Sequence, residues 1–201
     1  MKKRVKKIVR REGGVKLAGS KSMANIFVIV GEKTSGKDEI IRAVTELGGM
    51  HAQVVPKYTS RPRQPEDGRE LKCNYLFKKS READGEYRVL SQEEDREAHC
   101  DIVYQRNNNY YGIDTHQIWI RLRSHKFQVI VVSELEAINS LRKKFGSLVK
   151  LIYIHGQDDR EDSPEFQMFV KYFDFFDHVL ICESRKEDLY DQLFRLFRAY
   201  E

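Results

Sequence analysis

The stretch IFVIVGEKTSGKDEIIRAVTEL, residues 26–47, decides the fold. Its first five residues are all apolar, the pattern of a strand buried on both faces in a parallel sheet rather than of a half-solvated hairpin. Behind them, Gly31 to Gly36-Lys37 has the spacing G-x-x-x-x-G-K, after which Ile40, Ile41, Val44 and Leu47 recur at helical period. A glycine-bearing turn between a buried strand and a helix start suits phosphate. The glycines let the backbone close around the anion, free N–H groups point at it, and the lysine adds a cation. Gly31, Thr34, Ser35, Gly36 and Lys37 are therefore the candidate phosphate contacts. The next position, where a magnesium-ligating hydroxyl is usual, holds Asp38, whose carboxylate is the candidate metal ligand.

The alternation continues outward from this loop. Gly48-Gly49 stops the first helix. Residues 127–132 and 148–154 are further buried-strand runs separated by a helical stretch over 134–145, and 179–182 is a last short strand. Ser184 with Glu187 forms a capping box for a closing helix that bears Leu189, Leu193, Leu196 and Phe197. Strands alternating with helices predict an α/β fold, a parallel sheet flanked by helices, with ligands at the carboxyl ends of the strands.

Composition narrows the class. The 201 residues, 40% hydrophobic and 33% charged, suit one domain with a sizeable core. No apolar run approaches the roughly 18 residues of a membrane helix, and the basic N-terminus is not followed by the apolar stretch of a secretory signal. The expected address is the cytoplasm, without a membrane partner. Cys73, Cys100 and Cys182 make an odd count with no C-x-x-C pair, so neither a disulfide framework nor a zinc site is implied. Residues 1–22 carry nine Lys or Arg and one Glu, a charge of +8 that leaves −3 on the remainder. The basicity belongs to this N-terminal extension, which argues against a nucleic-acid partner for the body of the chain. The extension itself reads as a mobile solvated tail or as a grip on an acidic partner.

Two more constellations carry chemistry. In KYTSRPRQPEDGRELKCNYLF, residues 57–77, Arg61 and Arg63 flank a proline and suit bidentate capture of a phosphate. In NNNYYGIDT, residues 107–115, paired tyrosines at a turn offer a phenol and a ring face to a nucleotide.

The order of these elements, from G-x-x-x-x-G-K through the arginine pair, NYLF and YYG to an apolar strand and a short lid, resembles the guanylate kinase family over roughly residues 24–200. The resemblance implies a P-loop NTPase fold over residues 23–201, with an inserted acceptor-binding lobe at about 57–112 and a lid at about 156–168. It implies ATP-dependent phosphorylation of a nucleoside monophosphate, GMP foremost, with Mg2+ as cofactor. The partners are then a nucleotide donor and a phosphorylated small-molecule acceptor. By the same resemblance Arg61, Arg63, Tyr75 and Tyr111 hold the acceptor phosphate, Thr59 and Ser60 lie near the base, and Lys37 and Arg160 serve the transferring phosphoryl. The G-K-D ending, and Ile113 after YYG, are similar instead to the ribose 1,5-bisphosphate phosphokinases, a sister family. The family's base-reading acids align near Ile102 and residues 131–133, where no carboxylate stands; Asp101 and Glu134 are one residue away. In the lid stretch HGQDDREDSPEFQ, Arg160 stands among five carboxylates. Three readings stay open: a nucleoside monophosphate kinase, a sugar bisphosphate kinase, and a catalytically silent module that binds a nucleotide or a protein.

Overall fold

A computed structural model describes residues 25–32, 34–46, 52–61, 75–77, 100–124, 127–182 and 186–201, with backbone alone for 75–77 and 186–187. Along the chain run β1 (Asn25–Val30), α1 (Lys37–Glu46), β2 (Ala52–Val54), β3 (Lys57–Thr59), β4 (Tyr75–Phe77), β5 (Ile102–Arg106), β6 (Asn109–Ile113), α2 (Thr115–Arg121), β7 (Phe127–Val131), α3 (Leu135–Phe145), β8 (Val149–Gly156), α4 (Pro164–Lys171), β9 (His178–Cys182) and α5 (Lys186–Ala199).

The main sheet has the order β2-β7-β1-β8-β9, and all of its pairings are parallel. The apolar run at 26–30 is its centre, and its side chains alternate between two cores. Ile26, Val28 and Val30 join α3 and the second sheet on one face, while Phe27 and Ile29 join α1 and α5 on the other. All five are fully buried, and each contributes roughly 1.5–3 kcal/mol by leaving water. The closing helix packs through Leu189, Leu193 and Phe197, whose ring stacks on Phe127 at 5.0 Å.

A second, four-stranded sheet has the order β4-β3-β6-β5. Its β5–β6 pair is an antiparallel hairpin turned at Asn107 and Asn108, with φ of 49° and 60°. Two consecutive left-handed residues make a tight hairpin turn that asparagine tolerates. The tyrosines expected at a turn therefore lie on strand β6, just beyond it.

The outer strand β9 exposes Val179 and Ile181. Gln192 of α5 covers its backbone there: the carboxamide donates to the Ile181 carbonyl at 2.8 Å and accepts from the Ile181 N–H at 2.9 Å. Among the described residues no helix is long and apolar enough to cross a membrane. The extension 1–22, Leu47, Gly48-Gly49, Arg63, Cys73 and the side chains of the capping box lie outside the described residues.

Candidate functional site

The loop after β1 has the geometry its glycines require. A Cβ on Gly31 would lie 2.5 Å from Ser35 Oγ and 2.8 Å from the Ile154 carbonyl; Gly36 has φ +93° and backs onto Cys182 Sγ. Ser35 is buried and donates to the Glu32 carbonyl at 2.9 Å, while Thr34 is exposed. Lys37 opens α1, and its buried ammonium donates to the carbonyls of Gly31 and Glu32. Burial lowers it to about 8, so it is still a cation at neutral pH. Asp38 is exposed in the first turn of the same helix.

Glu32 braces the loop. It accepts the Arg160 N–H at 2.6 Å. A hydrogen bond from Ser163 holds its carboxyl below the usual range against the opposing pull of burial, helped by Arg160 and Lys37. The loop after β1 is thereby tied to the segment between β8 and α4. Ser163 also caps α4, accepting from the Phe166 N–H at 3.1 Å.

Beside the loop opens a cleft of about 60 Å³ lined by Lys37, Lys57, Tyr104, Arg106, Tyr111 and Glu134, together with residues 131–133. Lys57 comes from β3, whose alternation turns Lys57 and Thr59 inward and Tyr58 outward. It is 3% exposed and donates to the Val131 carbonyl at the end of β7. Burial lowers it to about 7, with Glu134 opposing that shift and Arg106 adding to it. Arg106 of β5 bridges two carboxylates, Glu134 at 3.3 Å and Glu165 of α4 at 2.6 Å. Glu134 occupies the N-cap position of α3 without capping it, its side chain being engaged with Arg106 instead.

The residues expected on the acceptor side divide. Tyr111 faces the cleft and stacks on Tyr104 with ring centroids 5.4 Å apart. Thr59 accepts the Arg61 N–H at 3.1 Å, and Ser60 pairs twice with Tyr110, donating its N–H to the carbonyl and accepting the amide on Oγ. The Ser60 hydroxyl thus ties the end of β3 to β6, while that of Thr59 closes on its own segment. Arg61 follows β3 and is half-buried. Tyr75 pairs in register with Lys57 through the backbone. Arg160 reaches Glu32 through its N–H, while its side chain is 71% exposed. Of the two displaced acids, Asp101 is engaged with Thr115 and Lys144, and Glu134 lines the cleft.

Comparison with protein-family models and with curated proteins finds no match. Among solved structures, guanylate kinase from Anaplasma phagocytophilum aligns with a TM-score of 0.61 over 89% of this chain and 86% of that chain, at 15% identity. The fold matches that of a guanylate kinase. At this identity the likeness carries the architecture alone, a parallel α/β sheet flanked by helices. Sequence reasoning passed over Lys57, Arg106, Glu32 and Glu165. The one local signal among them is Lys57, a lysine at an inward strand position. The ion pairs of Arg106 join residues far apart in the chain and leave no local pattern.

Proposed function

We propose that this chain catalyses ATP-dependent phosphoryl transfer to a nucleoside monophosphate, with GMP first among the candidates. The observation that carries the reading is that a phosphate-type loop, through Lys37, and an inserted sheet, through Tyr111, line one cleft. A donor on the first and an acceptor on the second meet there. Gly31, Thr34, Ser35, Gly36 and Lys37 then take the donor phosphates; Arg61, Arg63, Tyr75 and Tyr111 take the acceptor phosphate. Thr59 and Ser60 hold the strand that presents them. Glu134 is the cleft carboxylate suited to accept from the N–H edge of a purine. The lobe at about 57–112 and the lid at about 156–168, with Arg160, complete the site.

Among the described residues no cluster of three or more His, Cys, Asp or Glu is placed to hold a metal ion. Magnesium usually keeps several waters and takes one or two carboxylates plus substrate phosphates, so the exposed Asp38 at the helix start fits it. Bound there, the ion would neutralise phosphate charge. The test is ADP production from ATP across GMP, dGMP, AMP and ribose 1,5-bisphosphate, with ATP binding measured in parallel. Turnover with GMP supports the reading. Turnover with ribose 1,5-bisphosphate alone moves the acceptor to a sugar phosphate. Retained ATP binding with no turnover on any acceptor supports a silent module, a reading favoured by an Arg160 side chain that is 71% exposed and faces the Glu32 carboxylate at 4.0 Å.

A further inference from the structure

We propose that Lys57 is a catalytic residue that contacts the phosphoryl group in transfer, supplying from inside the cleft a charge that the lid segment lacks. The inference rests on the kinase reading above. In residues 155–167 the only Lys or Arg is Arg160, whose side chain is 71% exposed and has the carboxylate of Glu32 as an ion-pair partner at 4.0 Å. Lys57 is almost wholly buried and lines the same small cleft as Lys37 on the donor side and Tyr111 on the acceptor side. A buried ammonium is costly unless anionic or strongly polar groups face it. The Val131 carbonyl and Glu134 offset part of that cost, but desolvation remains the largest influence on Lys57, and a strand lysine held inward against a cleft at that net cost is placed to meet a ligand.

The chemistry needs such a cation. An oxygen of the acceptor phosphate attacks the γ-phosphorus, and the new P–O bond forms as the bond to the β,γ-bridging oxygen breaks. The electron pair leaves with ADP. The acceptor oxygen carries no proton, so none has to be moved, and charge accumulates on the three equatorial oxygens of the phosphoryl. Lys37 approaches from the loop side. Lys57 approaches from β3, between donor and acceptor. The groups that bear on its charge are Glu134 and Asp38, which favour the ammonium, and Arg106 and Arg61, which oppose it; Lys37, Tyr104 and Tyr111 share the cleft.

The test compares β,γ-imido-ATP with ADP, both with magnesium, for the wild-type chain, Lys57→Met and Lys57→Arg. If Lys57 meets the γ-phosphoryl, Lys57→Met lowers the ratio of imido-ATP to ADP affinity by about tenfold or more, the loss of one charge-assisted hydrogen bond. It lowers kcat by about 100-fold or more, leaves ADP affinity within about threefold, and Lys57→Arg recovers part of both losses. An affinity ratio and a kcat both within about threefold of wild type overturn the assignment. If the wild type turns over no acceptor but the ratio falls as expected, the kinase reading fails and the γ-phosphoryl contact stands. Should Lys57→Met not fold, Lys57→Arg decides. Between pH 6 and 8 the affinity ratio of the wild type falls more steeply than that of Lys57→Arg, because Lys57, lowered to about 7, loses its proton, whereas Lys37, lowered to about 8, titrates in both proteins. An identical fall in Lys57→Arg overturns the proposal.

Discussion

Replacing Lys57 by methionine keeps an unbranched side chain, one atom shorter, and removes its charge, so the pH dependence of stability isolates the cost of burying that charge. In the folded protein the ammonium is lowered from the ordinary 10.5 to about 7. Below pH 7 the lysine is protonated in folded and unfolded chains alike, and the full penalty is present. Between 7 and 10.5 the unfolded chain binds more protons, so wild-type stability climbs with pH; above 10.5 the penalty is gone. At roughly 1.4 kcal/mol per pH unit, the step from pH 7 to 9.5 favours the wild type over Lys57→Met by about 3 kcal/mol. For a chain of this size that is about 6–12 °C in the difference between their melting temperatures. Subtracting the variant leaves the titration of Lys57 together with the smaller change in Lys37, which Lys57 helps to lower. Urea unfolding of both proteins at the two pH values makes the measurement. A stability difference that moves by less than about 1 kcal/mol, far below the linkage expectation, refutes the reasoning, because Lys57 would then be hydrated or firmly paired.

Arg61→Ala should raise the acceptor KM by about 10- to 100-fold with ATP affinity nearly unchanged, the loss of a charged hydrogen bond to phosphate; equal losses for both ligands would place Arg61 elsewhere. Asp38→Ser should flatten the magnesium dependence of ATP affinity, since a carboxylate about 4 Å from phosphate repels it by roughly 4 kcal/mol at a dielectric near 20 unless a cation bridges them. ATP titrations with magnesium and with EDTA that give the same ratio for both proteins would remove Asp38 from the site. A double-mutant cycle of Arg106→Met and Glu165→Gln should show about 1–2 kcal/mol of coupling, less than a fully buried pair because the Arg106 side chain is 39% exposed. Leu193→Ala, at a fully buried position under the sheet, should cost about 2–5 kcal/mol in urea unfolding and leave ligand affinities unchanged.

The parts of this molecule that sequence reveals are those made by neighbours in the chain. The run at 26–30 has no polar residue on either face because both faces are covered, so burial and strand are read together. The following loop shows itself because two glycines are required where a Cβ would collide with Ser35, Ile154 and Cys182. Boundaries drift by a residue or so, as at Glu134, whose extended backbone makes it the N-cap of α3 rather than its first helical residue and whose side chain pairs with Arg106. The tyrosine pair was misplaced by two residues because the turn is formed by Asn107 and Asn108 in the left-handed region, a conformation that three consecutive asparagines do not assign to any one of them. The cleft itself is least legible. Its charges come from α1, β3, β5 and the N-cap of α3, with Glu165 of α4 paired to Arg106, and only the meeting of the two sheets brings them together.

The carboxamide of Gln192 also sets where the main sheet stops. It presents one donor and one acceptor to Ile181 as a neighbouring peptide unit would, and so stands in for one residue of a sixth strand. An outer strand with two outward apolar side chains is otherwise a template on which a second chain can add. One side chain of the closing helix thus acts as an end-stop against self-association, and a hydrocarbon at the same position would leave helix packing intact while opening the edge to sheet growth between molecules.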